Sequence, residues 1–414
     1  MGKELRSAIA GFSTPPIYEE PVGVPDLDQG TVVAVASRVV DLAEDREPGH
    51  ANRVAFVGKQ LAEHLGLTAE EIEDSYFACL LHDVGKILQP QEQKVVRGPE
   101  LLASQLLTVS EIVAGLGLRE PVATAVAEHG RYGWLAPRGG DPVEPSSMVA
   151  RIVAAADRLD SIAASGRSAL LVRRRGPEIA RSMASDGFGD EIAEALGELV
   201  SVDPFWIGYY DNDLLVELTK SQVGTPFQGE SVVEAFSVLA DLVDARNGHP
   251  GGRARRVGNL AREVALGLGE PEGKAQLIRL AALLQDIGTL GVSTSYVRKP
   301  DLLPIDELAD IQNHPVLARD ILSELPGLGV VAWWVACHHE RIDGRGYPVG
   351  FAGEEVPLEA QIIGLCETFD ALISDRPHHL AMSEADAIKV LAGLAGSRFV
   401  PELVRAFSAV MRAL

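Results

Sequence analysis

A histidine, an aspartate and a lysine stand within five positions of one another at the end of an apolar stretch, as His82, Asp83 and Lys86. An imidazole beside a carboxylate is a mixed nitrogen and oxygen ligand pair, which suits Fe, Mn, Zn or Mg better than soft thiolate chemistry does. A lysine one turn further on is well placed to meet a phosphate. Because such pairs also arise by chance, the motif alone only suggests metal-dependent phosphate chemistry.

The segments around this motif have the periodicity of amphipathic helices. Apolar residues follow His50 at helical spacing, so His50 is predicted to lie on the buried face of its helix. Thr68 and Glu71 have the spacing of a capping box, which predicts the start of the helix that delivers the His-Asp pair. The pattern therefore predicts that separate helices bring the candidate ligands together.

Two later helices carry further candidates, His129 and Asp157. His129 shares a face with apolar residues, and Asp157 is stacked with Val149 and Val153 at intervals of four positions. A carboxylate on an apolar face is costly unless it is paired or bound to a metal. Asp157 is therefore predicted to have a partner.

The chain repeats this arrangement about two hundred residues later, which indicates two homologous domains. The offset is 203 positions for the early helices and 210 for the later ones. The candidate positions of the first copy correspond in the second copy to Arg253 for His50, Gln285 for His82, Asp286 for Asp83, Thr289 for Lys86, His339 for His129 and Glu367 for Asp157.

Composition restricts the class of protein. The 414 residues are 46% hydrophobic but only 5% aromatic, which favours packed helices over a β-sandwich. A formal charge of −22 repels phosphate backbones, so long nucleic acids are not expected as partners. The three cysteines lack CxxC spacing, and neither a signal peptide nor a membrane-spanning run is recognised. We expect a cytoplasmic location without membrane association.

The order His, His-Asp, Asp resembles the HD superfamily of metal-dependent phosphohydrolases. The second copy is similar to the HD-GYP branch, whose known activity is cyclic di-GMP hydrolysis, in the run from His338 to Pro348 and in Phe369-Asp370-Ala371-Leu372. The resemblance implies an all-α fold with two HD-type helical bundles in tandem. The expected division is an N-terminal arm at 1–30, HD domains at 31–202 and 229–414, and a connector at 203–228.

The resemblance also implies two adjacent metal positions, and each copy keeps a different one. The first copy retains the ligands of the first position, His50, His82, Asp83 and Asp157, together with Lys86 and, as a further candidate ligand, His129. The second copy retains the set of the second position, Asp286, His314, His338 and His339. Arg253 brings a permanent cation to the first position of that copy, which opposes metal binding.

We therefore expect a metal-dependent phosphohydrolase that acts on a nucleotide or cyclic dinucleotide. Its chemistry would lie in the N-terminal copy, where a metal activates water, and Asp83 and Lys86 would be catalytic. The alternative is a non-catalytic signalling protein with two degenerate sites that sense ligands. Gly346, Tyr347 and Pro348 form either a structural turn or a loop that binds a ligand or a signalling partner. The metal (Fe, Mn, Zn or Mg) and the oligomeric state stay open.

Overall fold

The computed structural model describes residues 23–43, 49–87, 109–132, 147–164, 169–185, 188–211, 226–249, 252–297, 303–323, 325–375 and 380–413. Most of the arm predicted at 1–30 lies outside these residues. One structural unit runs from Asp28 to Pro226, and the other comprises the residues from Phe227 onward with those up to Leu27. The domain limits predicted from the sequence stay a prediction.

The first unit is helical, with residues 109–115 forming a further helical stretch. Its named helices are α1 (Gln29–Ala43), α2 (His50–His64), α3 (Ala69–Leu81), α4 (Val84–Ile87), α5 (Glu120–Tyr132), α6 (Met148–Ala163), α7 (Ala169–Ser185), α8 (Asp190–Leu199) and α9 (Asp203–Tyr210). Helix α6 packs against α2, α3 and α5, so the helices that carry the candidate ligands contact one another.

The second unit repeats this arrangement. Its helices are α10 (Glu230–Asn247), α11 (Arg253–Gly267), α12 (Glu272–Leu284), α13 (Thr294–Val297), α14 (Ile305–Gln312), α15 (His314–Leu322), α16 (Gly329–Cys337), α17 (Leu358–Ile373), α18 (Glu384–Gly393) and α19 (Pro401–Val410), with 3₁₀ turns at Ile287–Gly291 and Gly353–Glu355. Helix α17 packs against α11, α12 and α16, as α6 packs against its neighbours in the first unit.

Helix limits agree with the repeat offsets read from the sequence. Helices α11 and α12 begin and end 203 positions after α2 and α3, and α17 begins and ends 210 positions after α6. The predicted all-α class and the tandem arrangement of two related bundles are confirmed. Among the described residues the only strands are β1 (Leu27–Asp28) and β2 (Pro226–Phe227), which pair with each other.

Apolar packing accounts for the positions of these helices. Val54, Val57 and Leu61, on the face of α2 predicted to be buried, are each 0% exposed. Burial of one such side chain stabilises the fold by roughly 1.5–3 kcal/mol. Thr68 and Glu71 form the predicted capping box at the start of α3. No helix within the described ranges is both long enough and apolar enough to cross a membrane.

A buried carboxylate fixes the start of the helix on which each candidate site is built. Asp41 of α1 accepts a hydrogen bond from the backbone N–H of Ala51 at 3.1 Å, and Asp244 of α10 accepts one from Ala254 at 2.8 Å. Burial outweighs these hydrogen bonds and raises both pKa values, that of Asp244 to about 6. The folded protein therefore holds a proton on Asp244 that the unfolded chain releases at lower pH.

This shift predicts that Asp244 lowers stability as the pH rises. The pKa of this carboxyl is near 4 in the unfolded chain and near 6 in the folded protein. Its contribution to the free energy of unfolding is therefore complete below pH 4 and lost by about pH 6. Asp244→Asn keeps an oxygen acceptor without the charge. The free energy of unfolding of this variant, measured with urea, should equal that of the wild type at pH 4. Above pH 6 it should be larger than that of the wild type by at most about 3 kcal/mol.

The control for this experiment is Asp241→Asn on the same helix. Asp241 is half-exposed and accepts hydrogen bonds from Arg255 at the surface. Loss of such an exposed ion pair costs at most about 1 kcal/mol and brings no gain above pH 6. Equal unfolding free energies of Asp244→Asn and the wild type at pH 7.5 would contradict the assignment.

Candidate metal centre

His50 is the first residue of α2, and a glycine places it there. Gly49 adopts a left-handed conformation with φ of 83°, which a residue with a Cβ adopts at a cost. The hydrogen bond that Asp41 accepts from Ala51 holds the same end of the helix against α1. His50 is thereby held at a fixed point in the interior, where it is 3% exposed.

His82 and Asp83 follow the last residue of α3, and their orientation is set by the helix end. His82 Nδ1 lies 2.7 Å from the backbone carbonyl oxygen of Cys79. A carbonyl can only accept, so Nδ1 carries the proton and Nε2 presents its lone pair. In this tautomer Nε2 can bind a metal ion, while a hydrogen bond fixes the other ring nitrogen.

His50 is fixed in the same way by a carboxylate. Its Nδ1 donates to Asp160 at 2.7 Å, and its Nε2 lies 3.1 Å from Nε2 of His82. When both Nδ1 atoms carry protons, the two Nε2 lone pairs face each other and repel unless a proton or a metal cation lies beside them. The donor set thus fits a divalent metal ion.

Two carboxylates complete this cluster. Asp83 lies 3.4 Å from Nε2 of His82, and one oxygen of Asp157 lies 3.6 Å from Nε2 of His50 and 3.7 Å from that of His82. The other oxygen of Asp157 lies 3.5 Å from Nε2 of His129. The structure therefore brings all five predicted ligands together in overlapping groups, whose donor atoms lie within 4.8 Å of one another.

The charges in this cluster favour ionised carboxylates. Burial raises the pKa of Asp157, but the neighbouring His82 and His129 outweigh burial, and its pKa lies below the ordinary value. Burial lowers the pKa of His50, and the hydrogen bond to Asp160 outweighs it, so that the pKa of His50 is raised.

Sequence reasoning missed the residues that support His50. Asp160 is 0% exposed and accepts hydrogen bonds from Arg53 Nε at 2.7 Å and from the hydroxyl of Tyr209 on α9, as well as from His50. These donors hold the pKa of Asp160 at about 2 despite its burial. The same pairing recurs as Arg256 and Asp370, so the repeat offsets contained the signal for it.

In the second unit the predicted ligands lie at the second metal position instead of the first. His314 and His338 each donate from Nδ1 to a backbone carbonyl, at 2.8 and 2.5 Å, and their Nε2 atoms lie 3.4 Å apart. Asp286 lies 3.7 Å from Nε2 of His314. The donor atoms of His314, His338 and His339 lie within 4.8 Å of one another. Burial and the neighbouring His338 lower the pKa of His314 and of His339, which favours the neutral imidazole that can coordinate a cation.

The first position of the second unit does not fit a metal ion. The guanidinium of Arg253 contacts the carboxylates of Asp286 and Glu367. Gln285, at the position of His82, is 1% exposed, and its amide makes no hydrogen bond with the described residues. Neither Arg253 nor Gln285 offers the imidazole that its counterpart in the first unit offers.

The loop that contains Gly346, Tyr347 and Pro348 is tied to the histidines by a residue that sequence reasoning did not single out. The buried Glu340 accepts hydrogen bonds from the backbone N–H groups of Val349, Gly350 and Phe351 at 2.7–3.1 Å. A Cβ at Gly346 would lie 2.5 Å from Cα of Glu340. The ring of Tyr347 lies 4.6 Å from that of His339. The turn is therefore structural, and a role in partner or ligand binding stays a prediction.

Lys86 lies on α4, four positions after His82. Its side chain is outside the described part of the structure, as are residues 88–108 that follow this helix. The predicted contact of Lys86 with phosphate stays a prediction.

Sequence models of the HD domain match residues 49–162 and 237–403. These ranges include every candidate ligand in both units. The chain belongs to the HD-domain family and carries two HD domains in tandem, as the resemblance in the sequence predicted.

Several characterised proteins are similar to this chain. The 3′3′-cGAMP-specific phosphodiesterase 3 of Vibrio cholerae is 26% identical over an alignment of 434 positions, gaps included, that covers 91% of this chain and 92% of that protein. A cyclic di-GMP phosphodiesterase response regulator of Xanthomonas campestris is 36% identical over 175 residues. This match covers 42% of this chain and 46% of that relative's length. A solved structure of a cyclic GMP-AMP-specific phosphodiesterase from V. cholerae, 21% identical, shares the fold with a TM-score of 0.65 over 94% of this chain and 99% of the other.

The geometry predicts that Asp160 supports metal binding through His50. Asp160→Asn should weaken the affinity of the N-terminal centre roughly 10–100-fold, because the carboxylate that orients the imidazole and raises its basicity is lost. The measurement is competition with a chromophoric chelator in a His338→Ala background, so that the N-terminal ion is observed. Asp370→Asn in the same background, the counterpart change in the other unit, should leave the affinity unchanged. Equal affinities of all three proteins would show that Asp160 has no such role.

Proposed function

We propose that this protein is a metal-dependent phosphodiesterase that hydrolyses a cyclic dinucleotide in its N-terminal HD domain. The observation that carries the proposal is the cluster of His50, His82, Asp83, Asp157 and His129, in which two Nε2 lone pairs face each other beside two carboxylates. The substrate class is supported by the relatives in V. cholerae and X. campestris, which are named for activity on 3′3′-cGAMP and cyclic di-GMP.

The side chains of this domain have distinct tasks in the proposal. His50 and His82 are fixed through their Nδ1 atoms, so their Nε2 atoms need no reorganisation when a cation binds. Asp83 and Asp157 supply the negative charge that holds it. When bound by these residues, a divalent ion would supply charge stabilisation for the phosphate and a nucleophile at neutral pH. In the proposal Asp83 is a ligand of the ion, and the ammonium group of Lys86 contacts the phosphate of the substrate.

The C-terminal HD domain has a different role in this proposal. Its first metal position holds Arg253, and Thr289 stands where the first domain has Lys86. Thr289 donates to the backbone carbonyl of Asp286 at 2.6 Å and accepts from Asn247 at 2.8 Å, so its hydroxyl is engaged within the fold. These substitutions favour a second candidate function, a domain that binds a ligand without hydrolysing it.

The proposal also includes a cytoplasmic location and further partners of the protein. The three cysteines, Cys79, Cys337 and Cys366, are buried and free, which suits a reducing cytoplasm. The proposal places a signalling partner at the loop around Tyr347 and includes an oligomeric assembly.

The central test compares the two domains by a matched pair of substitutions. His82→Ala should abolish hydrolysis of cyclic di-GMP and 3′3′-cGAMP while the helix content measured by circular dichroism is unchanged, because packing holds the helices. His338→Ala, which removes a buried imidazole from the other domain, should leave turnover in place. Loss of turnover in His338→Ala alone would move the active site to the C-terminal domain. Absence of turnover in the metal-loaded wild type would favour the non-hydrolytic function.

Lys86 provides a second test of the same site. Lys86→Ala should lower kcat/KM by roughly 10–100-fold, equivalent to ~1.4–2.8 kcal/mol of lost phosphate contact. Lys389→Ala is the control, because Lys389 is 77% exposed and pairs only with Asp386 on its own helix among the contacts described. If both variants turn over substrate as the wild type does, Lys86 is not part of the site.

A further inference from the structure

Arg253 lies among three carboxylates of the C-terminal domain. Its Nη1 contacts Asp286, its Nη2 donates to Glu367 at 2.7 Å, and its Nε lies 3.8 Å from Asp370. The side chain is only 8% exposed. A guanidinium carries its charge at any pH at which the protein is folded, so this cation is permanent.

The same three acidic positions surround the metal centre of the N-terminal domain. At the repeat offsets, Asp286 corresponds to Asp83, Glu367 to Asp157 and Asp370 to Asp160. In that domain the three carboxylates lie 4.0, 3.6 and 2.7 Å from ring nitrogens of His50, which is the counterpart of Arg253. Arg253 therefore contacts the carboxylates that would otherwise serve the first metal ion.

The charges of the two arrangements differ by one. In the N-terminal domain, three carboxylates and the guanidinium of Arg53 leave two negative charges, which match one divalent ion. In the C-terminal domain, Arg256 takes the place of Arg53 at Asp370, and Arg253 adds a second positive charge.

We propose that the guanidinium of Arg253 replaces the first metal ion of the C-terminal HD domain, so that this half of the protein is assembled around a fixed internal cation. The domain then binds at most one ion, through His314, His338 and His339. Its fold does not require metal at the first position. This inference is independent of which phosphoester the N-terminal domain hydrolyses.

The test restores the missing ligands in the full chain. Arg253→His with Gln285→His supplies two imidazoles at the positions of His50 and His82, beside Asp286 and Glu367. After loading with Zn²⁺ and dialysis, this variant should hold about one more ion per chain than the wild type by elemental analysis, since two imidazoles and two carboxylates suffice for zinc. Its thermal midpoint should also rise on addition of Zn²⁺ more than that of the wild type does.

The matched control is Arg256→His with Gln285→His, which adds the same number of imidazoles, one of them at position 256, but keeps Arg253. It should hold no additional ion. A folded Arg253→His/Gln285→His variant with the zinc content of the wild type would overturn the proposal. If that variant does not fold with or without zinc, the zinc content of the single variant Gln285→His becomes the test. The proposal expects no added ion there because Arg253 remains, and an added ion would overturn it.

Discussion

Carboxylates and imidazoles buried at one point between helices require a cation, and this requirement governs both halves of the molecule. An ionised carboxylate taken out of water is costly unless an opposite charge or a hydrogen-bond donor compensates it. Each domain brings three acidic side chains to the same point, from the turn after its third helix and from the long helix that packs across it. The identity of the compensating cation then determines what each domain can do.

The two domains satisfy this requirement with different cations. In the N-terminal domain the remaining negative charge and the paired Nε2 atoms of His50 and His82 suit an exchangeable divalent ion. In the C-terminal domain Arg253 is covalently part of the chain and cannot leave. The first arrangement can bring an ion to a phosphate, whereas the second holds the scaffold of the same site together without one. This difference in the compensating cation accounts for a tandem protein with one proposed catalytic half.

Some of this organisation could be predicted from the sequence because it depends on local spacing. The helical period placed His50 on a buried face, the capping box began α3, and the constant offsets indicated two bundles. The support of His50 by Asp160, Arg53 and Tyr209 was not predicted, because it joins residues 49–110 positions apart whose side-chain directions follow from tertiary packing. Likewise the sequence indicated that Arg253 opposes metal binding, but its contacts with Asp286 and Glu367 depend on how α11 packs against α12 and α17. The anchoring of the loop by Glu340 follows from backbone geometry that no residue pattern encodes.

The most direct test of this account is anomalous diffraction from crystals of the full chain, loaded with metal and measured at the absorption edge of that metal. The account predicts a peak among His50, His82, Asp83 and Asp157, and no peak between Asp286 and Glu367, where the guanidinium of Arg253 should be seen instead. An ion between Asp286 and Glu367 with Arg253 displaced, or an N-terminal cluster without a peak, would contradict it.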